Sequence, residues 1–114
     1  MDSVTFAGNE LTIGKYILQF DKSIQEIKVV NNVVIVLLNI PMDDHTLDNV
    51  YGVSFNGKIL WRIQEPDKEL IGSLRYPYVG ISHNENKVGV IDFYGRRFFI
   101  DEMNGKIMGK NFVK

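Results

Sequence analysis

Cysteine is absent from this 114-residue chain, and histidine occurs only twice, as His45 and His83. Without cysteine there are no disulfides, thiolate nucleophiles, iron–sulfur ligation or zinc sites built on sulfur. Nor does any apolar run approach the roughly 20 residues that a helix needs to span a bilayer. The start, Met1-Asp2-Ser3-Val4, has neither the basic opening nor the apolar core of a secretory signal, so a soluble, cytoplasmic domain is expected. A formal net charge of -1 gives no whole-molecule attraction for nucleic acid. That small net charge hides an asymmetry: residues 1–74 hold ten acidic and six basic side chains, and residues 75–114 hold four acidic and seven basic.

What is present suits one globular domain over residues 1–114. Hydrophobic residues make up 45% of the chain and charged residues 24%, close to the globular average, which excludes disorder, collagen and coiled coil. A chain of this length buries roughly two-thirds of the surface its unfolded form exposes. The most informative stretch is Asn32 to Pro41, in which Val33 to Leu38 are apolar without interruption. Its β-branched residues argue for a strand, and a strand sends alternate side chains to opposite faces. Val33, Ile35 and Leu37 therefore point one way and Val34, Val36 and Leu38 the other, so both faces must be covered.

Around this central strand the chain reads as an all-β antiparallel meander of about ten strands. Val4 to Ala7 and Leu11 to Phe20 flank a Gly8-Asn9 turn; Ile24 to Val30 leads through Asn31-Asn32 into the central strand. Val50 to Phe55 and Lys58 to Ile63 flank Asn56-Gly57, the strongest hairpin signal in the chain. Counting outward sets Val53 opposite Leu60 and Gly52 opposite Trp61, where the indole can cover the missing side chain. Glu65 to Leu74 can start a short helix, with Pro66 in its first turn and Gly72 limiting it to two turns. Tyr78 to Ser82, Lys87 to Phe93, Arg96 to Asp101 and Lys106 to Phe112 complete the set, with turns at His83 to Asn86, Tyr94-Gly95 and Glu102 to Gly105. A two-residue Tyr94-Gly95 turn pairs Asp92 with Arg97; a bulged loop shifts that pairing.

Gly14-Lys15, Gly57-Lys58 and Gly105-Lys106 each precede apolar residues, at spacings that suit a repeated four-stranded unit: half a unit over 1–23, then whole units over 24–76 and 77–114. In Asn56-Gly57-Lys58-Ile59-Leu60-Trp61 and Asn104-Gly105-Lys106-Ile107-Met108 the chain resembles the blades of quinoprotein-like β-propellers. That resemblance implies propeller-blade-like repeats, in too small a number to close a ring, so the sheet is expected to fold as a sandwich or open barrel. The quinone-binding residues of those propellers have no counterpart here.

No catalytic constellation emerges. Ser82 and His83 are adjacent on a strand and point to opposite faces, so no Ser-His pair forms there. Asp43-Asp44-His45 with Asp48 has cation-ligand chemistry but lacks the order and closing glutamate of a calcium loop, and a solvated acidic loop is expected instead. The basic residues Arg75, Lys87, Arg96, Arg97, Lys106, Lys110 and Lys114 are scattered by strand alternation over both faces, which argues against a nucleic-acid surface. The expectation is a non-enzymatic domain with no metal, no cofactor, no nucleic-acid partner and no membrane contact.

In a meander every second connection lies at the same end. Sorting the connections this way gathers Asp21 to Ser23, Pro41 to Asn49, Glu65 to Tyr76 and Tyr94-Gly95 at one end, and all the tight turns, Gly8-Asn9 included, at the other. The long-loop end then carries an acidic edge of Asp43, Asp44, Asp48, Glu65, Asp67 and Glu69, with Tyr76 and Tyr78 as aromatic anchors. In size, β architecture and acidic edge the chain resembles the small immunity proteins of bacterial toxin systems, including contact-dependent inhibition. That resemblance implies a cytoplasmic protein, monomeric or a small homo-oligomer, whose acidic edge binds a basic cognate toxin domain. A self-assembling propeller-like scaffold and a small-ligand-binding β domain are the competing expectations.

Overall fold

A computed structural model describes residues 3–72, 74–84 and 87–112. Among these are eleven strands: β1 (Val4–Ala7), β2 (Glu10–Ile13), β3 (Tyr16–Gln19), β4 (Ile24–Val30), β5 (Val33–Leu38), β6 (Val50–Ser54), β7 (Ile59–Arg62), β8 (Tyr78–Asn84), β9 (Lys87–Asp92), β10 (Arg96–Ile100) and β11 (Ile107–Phe112). One helical turn, α1 (Lys68–Ile71), stands between β7 and β8. The strands form three antiparallel meanders, β1-β2-β3, β4-β5-β6-β7 and β8-β9-β10-β11. They pack face to face as a layered stack of three sheets and do not close into a barrel.

The stacking follows from β5. All six of its side chains are buried, and they divide between two cores. Val34, Val36 and Leu38, with Val53, meet Leu11 and Ile13 of the first sheet. Val33, Ile35 and Leu37, with Val50, Trp61 and Ile63, meet Val88, Val90, Phe98 and Ile100 of the third. The end sheets behave differently. By the register of pairing, Thr5, Glu10, Thr12, Ile17 and Gln19 face outward from the first, and Ser82, Lys87, Arg97, Phe99 and Asn111 from the third. Both outer faces mix polar side chains with apolar ones, Ile17 on the first sheet and Ile91 and Phe99 on the third.

Glycine turns punctuate the last hairpin of each sheet. Gly14, Gly57 and Gly105, the glycines of the sequence repeat, all have positive φ, at 56°, 80° and 72°. Gly14 also corrects the sequence reading: the segment Leu11 to Phe20 is two strands, because the chain reverses there between β2 and β3. That extra reversal moves Gly8-Asn9 to the long-loop end, where the Phe20 N–H donates to Asn9 O (2.9 Å) and the Ile24 N–H to Gly8 O (2.8 Å).

Turn chemistry accounts for two further departures. Ser54 to Gly57 closes as a three-residue loop, with Gly57 N–H donating to Ser54 O (3.0 Å) and Ser54 N–H to Lys58 O (2.8 Å). The resulting bulge keeps Gly52 opposite Trp61, as expected, but places Val53 opposite Ile59 rather than Leu60. Phe93-Tyr94-Gly95 is likewise a bulged loop, so Asp92 pairs with Arg96 instead of Arg97. The helix is shorter than the sequence suggested, and Pro66 precedes its N-cap Asp67 rather than entering the first turn; Gly72, at φ 67°, ends it. Of the turn His83 to Asn86, residues 85 and 86 lie outside those described, and His83 and Asn84 extend β8.

Aromatic side chains clasp neighbouring sheets at these glycines. A Cβ on Gly52 or on Gly105 would collide with the Trp61 ring, so the indole lies between the two, and its Nε1–H donates to Glu102 O (2.7 Å). Tyr16 covers Gly57 in the same way between the first and second sheets, where an added Cβ would sit 2.8 Å from the tyrosine Cβ. At the inner edges the second and third sheets are joined by side chains: Gln25 donates to Val79 O (2.8 Å) and Glu26 accepts from the Ile81 N–H (3.2 Å).

Gly105→Ala is expected to lower stability by about 2 kcal/mol or more, from overpacking against Trp61 together with a positive φ. Gly109→Ala, with open space at its Cβ and no positive φ, should change it by less than about 1 kcal/mol. Urea unfolding of both variants checks the contrast, and equal losses would remove the clasp from the account.

Candidate functional site

The two longest connections, residues 39–49 and 63–77, meet at one end of the stack over the seam between the second and third sheets. Asn49 holds them there. Its buried amide donates to Leu38 O (2.7 Å) and Tyr78 O (2.9 Å), and its carbonyl accepts from the Tyr78 N–H (2.8 Å), so one side chain ties the end of β5 to the start of β8. Arg62 fixes the loop next to it by donating to Asp48 O (2.9 Å) and Leu47 O (2.8 Å).

Above this seam opens a cleft of about 550 Å³. Ile40, Pro41, Met42 and Leu47 form one wall and Tyr76, Pro77, Val79 and Phe93 the other, with Gln25, Asp44, His45 and Arg75 at its polar margins. Tyr76 stacks on Tyr94 (ring centroids 5.5 Å, planes 7° apart) and leans on Phe93 (6.4 Å). Beneath this trio lies the buried Arg96. Its Nε donates to Asp92 (2.8 Å), its guanidinium caps Ile71 O (3.2 Å) and Leu74 O (3.0 Å), and it sits 5.7 Å from the Tyr76 ring centre. Arg96 thus joins the loop after α1 to the β9–β10 turn, which sets the aromatic wall. Phe93 and Tyr94 remain 61% and 64% exposed and Met42 89%, so apolar surface borders the cleft; Ile59, Leu60, Met103 and Met108 are also exposed elsewhere.

The residues expected to form an acidic edge divide into three groups. Asp44 and Asp48 are engaged by cations of the protein itself: Lys22 donates to Asp44 (2.6 Å), and Arg75 pairs with Asp48. The Lys22 ammonium, helped by the Thr46 hydroxyl and N–H, holds the Asp44 carboxyl well below the usual carboxylate range, and the same contact raises the Lys22 pKa. Asp43, Asp67 and Glu69 are exposed, and Glu65, 72% exposed, lies 3.5 Å from Arg75. Tyr78 belongs to the core, set edge-on to Phe98, and lines the cleft from that buried position; burial, then the charge of Asp48, raises its phenol pKa. Tyr76 does reach the surface, as a cleft wall.

Because Arg75 bridges Asp48 and Glu65, the two acidic loops lie on the same side of the molecule. Among the described residues no three His, Cys, Asp or Glu side chains converge as a metal-ligand set. Sequence reasoning passed over Met42, His45, Leu47 and Phe93 as cleft residues. Two of these carried a signal, since Met42 sits in an otherwise polar loop and Phe93-Tyr94 occupies a turn that has no core to bury it.

One family profile, described as a domain of unknown function, runs over residues 1–112. The chain belongs to that family, DUF7957. Among curated proteins there is no match to it. The DUF7957 fold is similar to that of BamB from Moraxella catarrhalis, a β-propeller (TM-score 0.62, 17% identity), over 93% of this chain and 32% of that one. It is also similar to the computationally designed Ika8 protein (TM-score 0.57, 11% identity), over 95% of this chain and 35% of that one. At such identities the likeness is one of fold alone, and the DUF7957 chain spans about a third of the length of each. Its three sheets are therefore propeller-like blades in an open stack. No helix among the described residues is long and apolar enough to cross a membrane.

Asn49→Ala should cost about 3 kcal/mol or more in urea unfolding, because it strands two buried carbonyls and one N–H. For Asp44 the sign is that of a depressed carboxyl: its contribution is complete above the unfolded pKa of 3.8 and is lost as pH falls through the lower folded value. The stability gap between the native chain and Asp44→Asn should accordingly be constant from about pH 5 to 8 and shrink in stronger acid. A gap that does not narrow would mean that the Lys22 contact is not what stabilises the carboxylate.

Proposed function

We propose that this domain is a non-enzymatic protein-binding module whose docking surface is the cleft at the long-loop end. The observation that carries this reading is the co-location of exposed Met42, Phe93 and Tyr94 with the stacked Tyr76, on walls that Asn49 and Arg96 hold rigid. Aromatic anchors on a pre-organised surface are what concentrate binding energy in protein interfaces, because little ordering entropy is left to lose. The charge argument enters in reduced form: Asp44 and Asp48 serve the fold, Glu65 shares Arg75 while 72% exposed, and Asp43, Asp67 and Glu69 remain to favour a basic partner by steering.

A basic toxin domain, the partner implied by the immunity-protein resemblance, has this chemistry, although neither the family nor the fold likeness bears on toxins. The mixed polar and apolar outer faces of the end sheets favour a monomer over a ring built from several copies. Those faces lack the continuous apolar cover that β5 receives on both sides.

A photo-crosslinking benzophenone placed at position 42 or 93 tests the reading in native cells, with position 58, in the turn at the opposite end, as the control. Adducts of one defined mass are expected from positions 42 and 93 and none from 58, and the charge reversal Asp43→Lys should reduce them several-fold. Equal labelling from position 58, or no adduct from either cleft position, would remove the long-loop end as the docking surface.

A further inference from the structure

Three modes of docking an extended or helical segment compete for such a cleft: an added strand, a helix laid in a groove, and a polyproline II segment on aromatic rings. An added strand needs a row of free backbone donors and acceptors. The backbone around this cleft does not offer one. Pro41 and Pro77 have no N–H, and their carbonyls already accept from the Asp44 N–H (3.0 Å) and the Phe93 N–H (3.1 Å). The neighbouring edge of β8 is occupied as well, since Gln25 holds Val79 O and Glu26 holds the Ile81 N–H. A helix, about 10–12 Å across with its side chains, calls for a long trough. A cleft of about 550 Å³ with loop walls takes a few residues of extended chain instead.

Polyproline II has the properties that remain. It makes no internal hydrogen bonds, is already ordered before binding, and rests its rings on aromatic faces. Tyr76, Phe93 and Tyr94 form such a ledge, which Arg96 supports from below. The charged residues that line the cleft are already paired, Asp44 with Lys22 and Arg75 with Asp48 and Glu65, so a charge preference comes from the acids that border it. Asp43 stands exposed between the cleft residues Met42 and Asp44, and Glu65 lies beside the cleft residue Arg75. We propose that the occupant is a proline-containing segment in polyproline II conformation with arginine or lysine at its flank. The proposal rests on the docking reading above and specifies its partner: the prolines lie against Tyr76 and Phe93, and the basic flank lies against Asp43 and Glu65.

The probe is a series of fluorescein-labelled decapeptides with a Pro-x-x-Pro core and two arginines at one end or the other, titrated with the whole domain by fluorescence polarisation. At least one should bind saturably. Replacing its prolines by alanine, replacing its arginines by glutamate, or introducing Phe93→Ala or Asp43→Lys into the domain should each weaken binding at least tenfold. Phe93 is largely exposed, so circular dichroism melting should leave Phe93→Ala within a few degrees of the parent. Equal binding of the alanine peptide would overturn the conformational claim, and binding indifferent to Phe93→Ala would overturn the location. If the whole series fails while crosslinking at positions 42 and 93 succeeds, the polyproline proposal falls and the docking reading stands. Failure of both removes the cleft from the function.

Discussion

A strand with two apolar faces cannot lie at a surface, and from that constraint on β5 the rest of the molecule follows. Val33, Ile35 and Leu37 require one covering sheet and Val34, Val36 and Leu38 another. A meander of four strands supplies a sheet, not two covers, so the chain must make further meanders before and after the central one. Blade-like stacking is the result. Each end sheet has one face on a core, and the register puts polar residues such as Thr5, Thr12 and Arg97 on the other.

Stacked sheets could slide, and specific contacts prevent it. At one end the Trp61 indole occupies the space left by Gly52 of its own sheet and Gly105 of the next, and Tyr16 of the first sheet covers Gly57 of the second. At the other end Asn49 joins β5 to β8 through three hydrogen bonds. Gly57 and Gly105 serve twice, since each takes the positive φ that turns the chain and each lacks the side chain that would block the ring. A polar hub and an aromatic clasp thus fix the same pair of sheets from opposite ends, and the long loops start from a rigid base.

On that base the acidic loops have changed roles. Asp44 and Asp48 are consumed in holding loop 39–49 to Lys22 and Arg75, which leaves the wall formed by Ile40, Pro41, Met42 and Leu47 in place opposite Tyr76 and Phe93. Paired charges shape the cleft, while the exposed carboxylates of Asp43 and of Glu65, the latter shared with Arg75, border it. The proposed docking therefore rests more on exposed apolar surface than on net charge, with charge assigned to encounter and orientation.

Periodicity, turn residues and the uninterrupted run Val33 to Leu38 sufficed to determine an all-β chain, most strand positions, the glycine-based repeat and the meeting of Trp61 with Gly52, because each depends on neighbours along the chain or across one hairpin. Side-chain partners from different sheets decided everything else. Whether Asp44 meets water or Lys22, whether Tyr78 is an anchor or core, and whether Phe93 joins Met42 across a cleft all turn on packing between segments far apart in sequence. A missed reversal at Gly14 shows the limit most plainly: a single positive-φ glycine, read as part of one strand, exchanged the ends at which a turn was placed. Local signals constrain backbone geometry, whereas the pairing of charges and the exposure of rings are set by which faces meet, and that is a property of the stack as a whole.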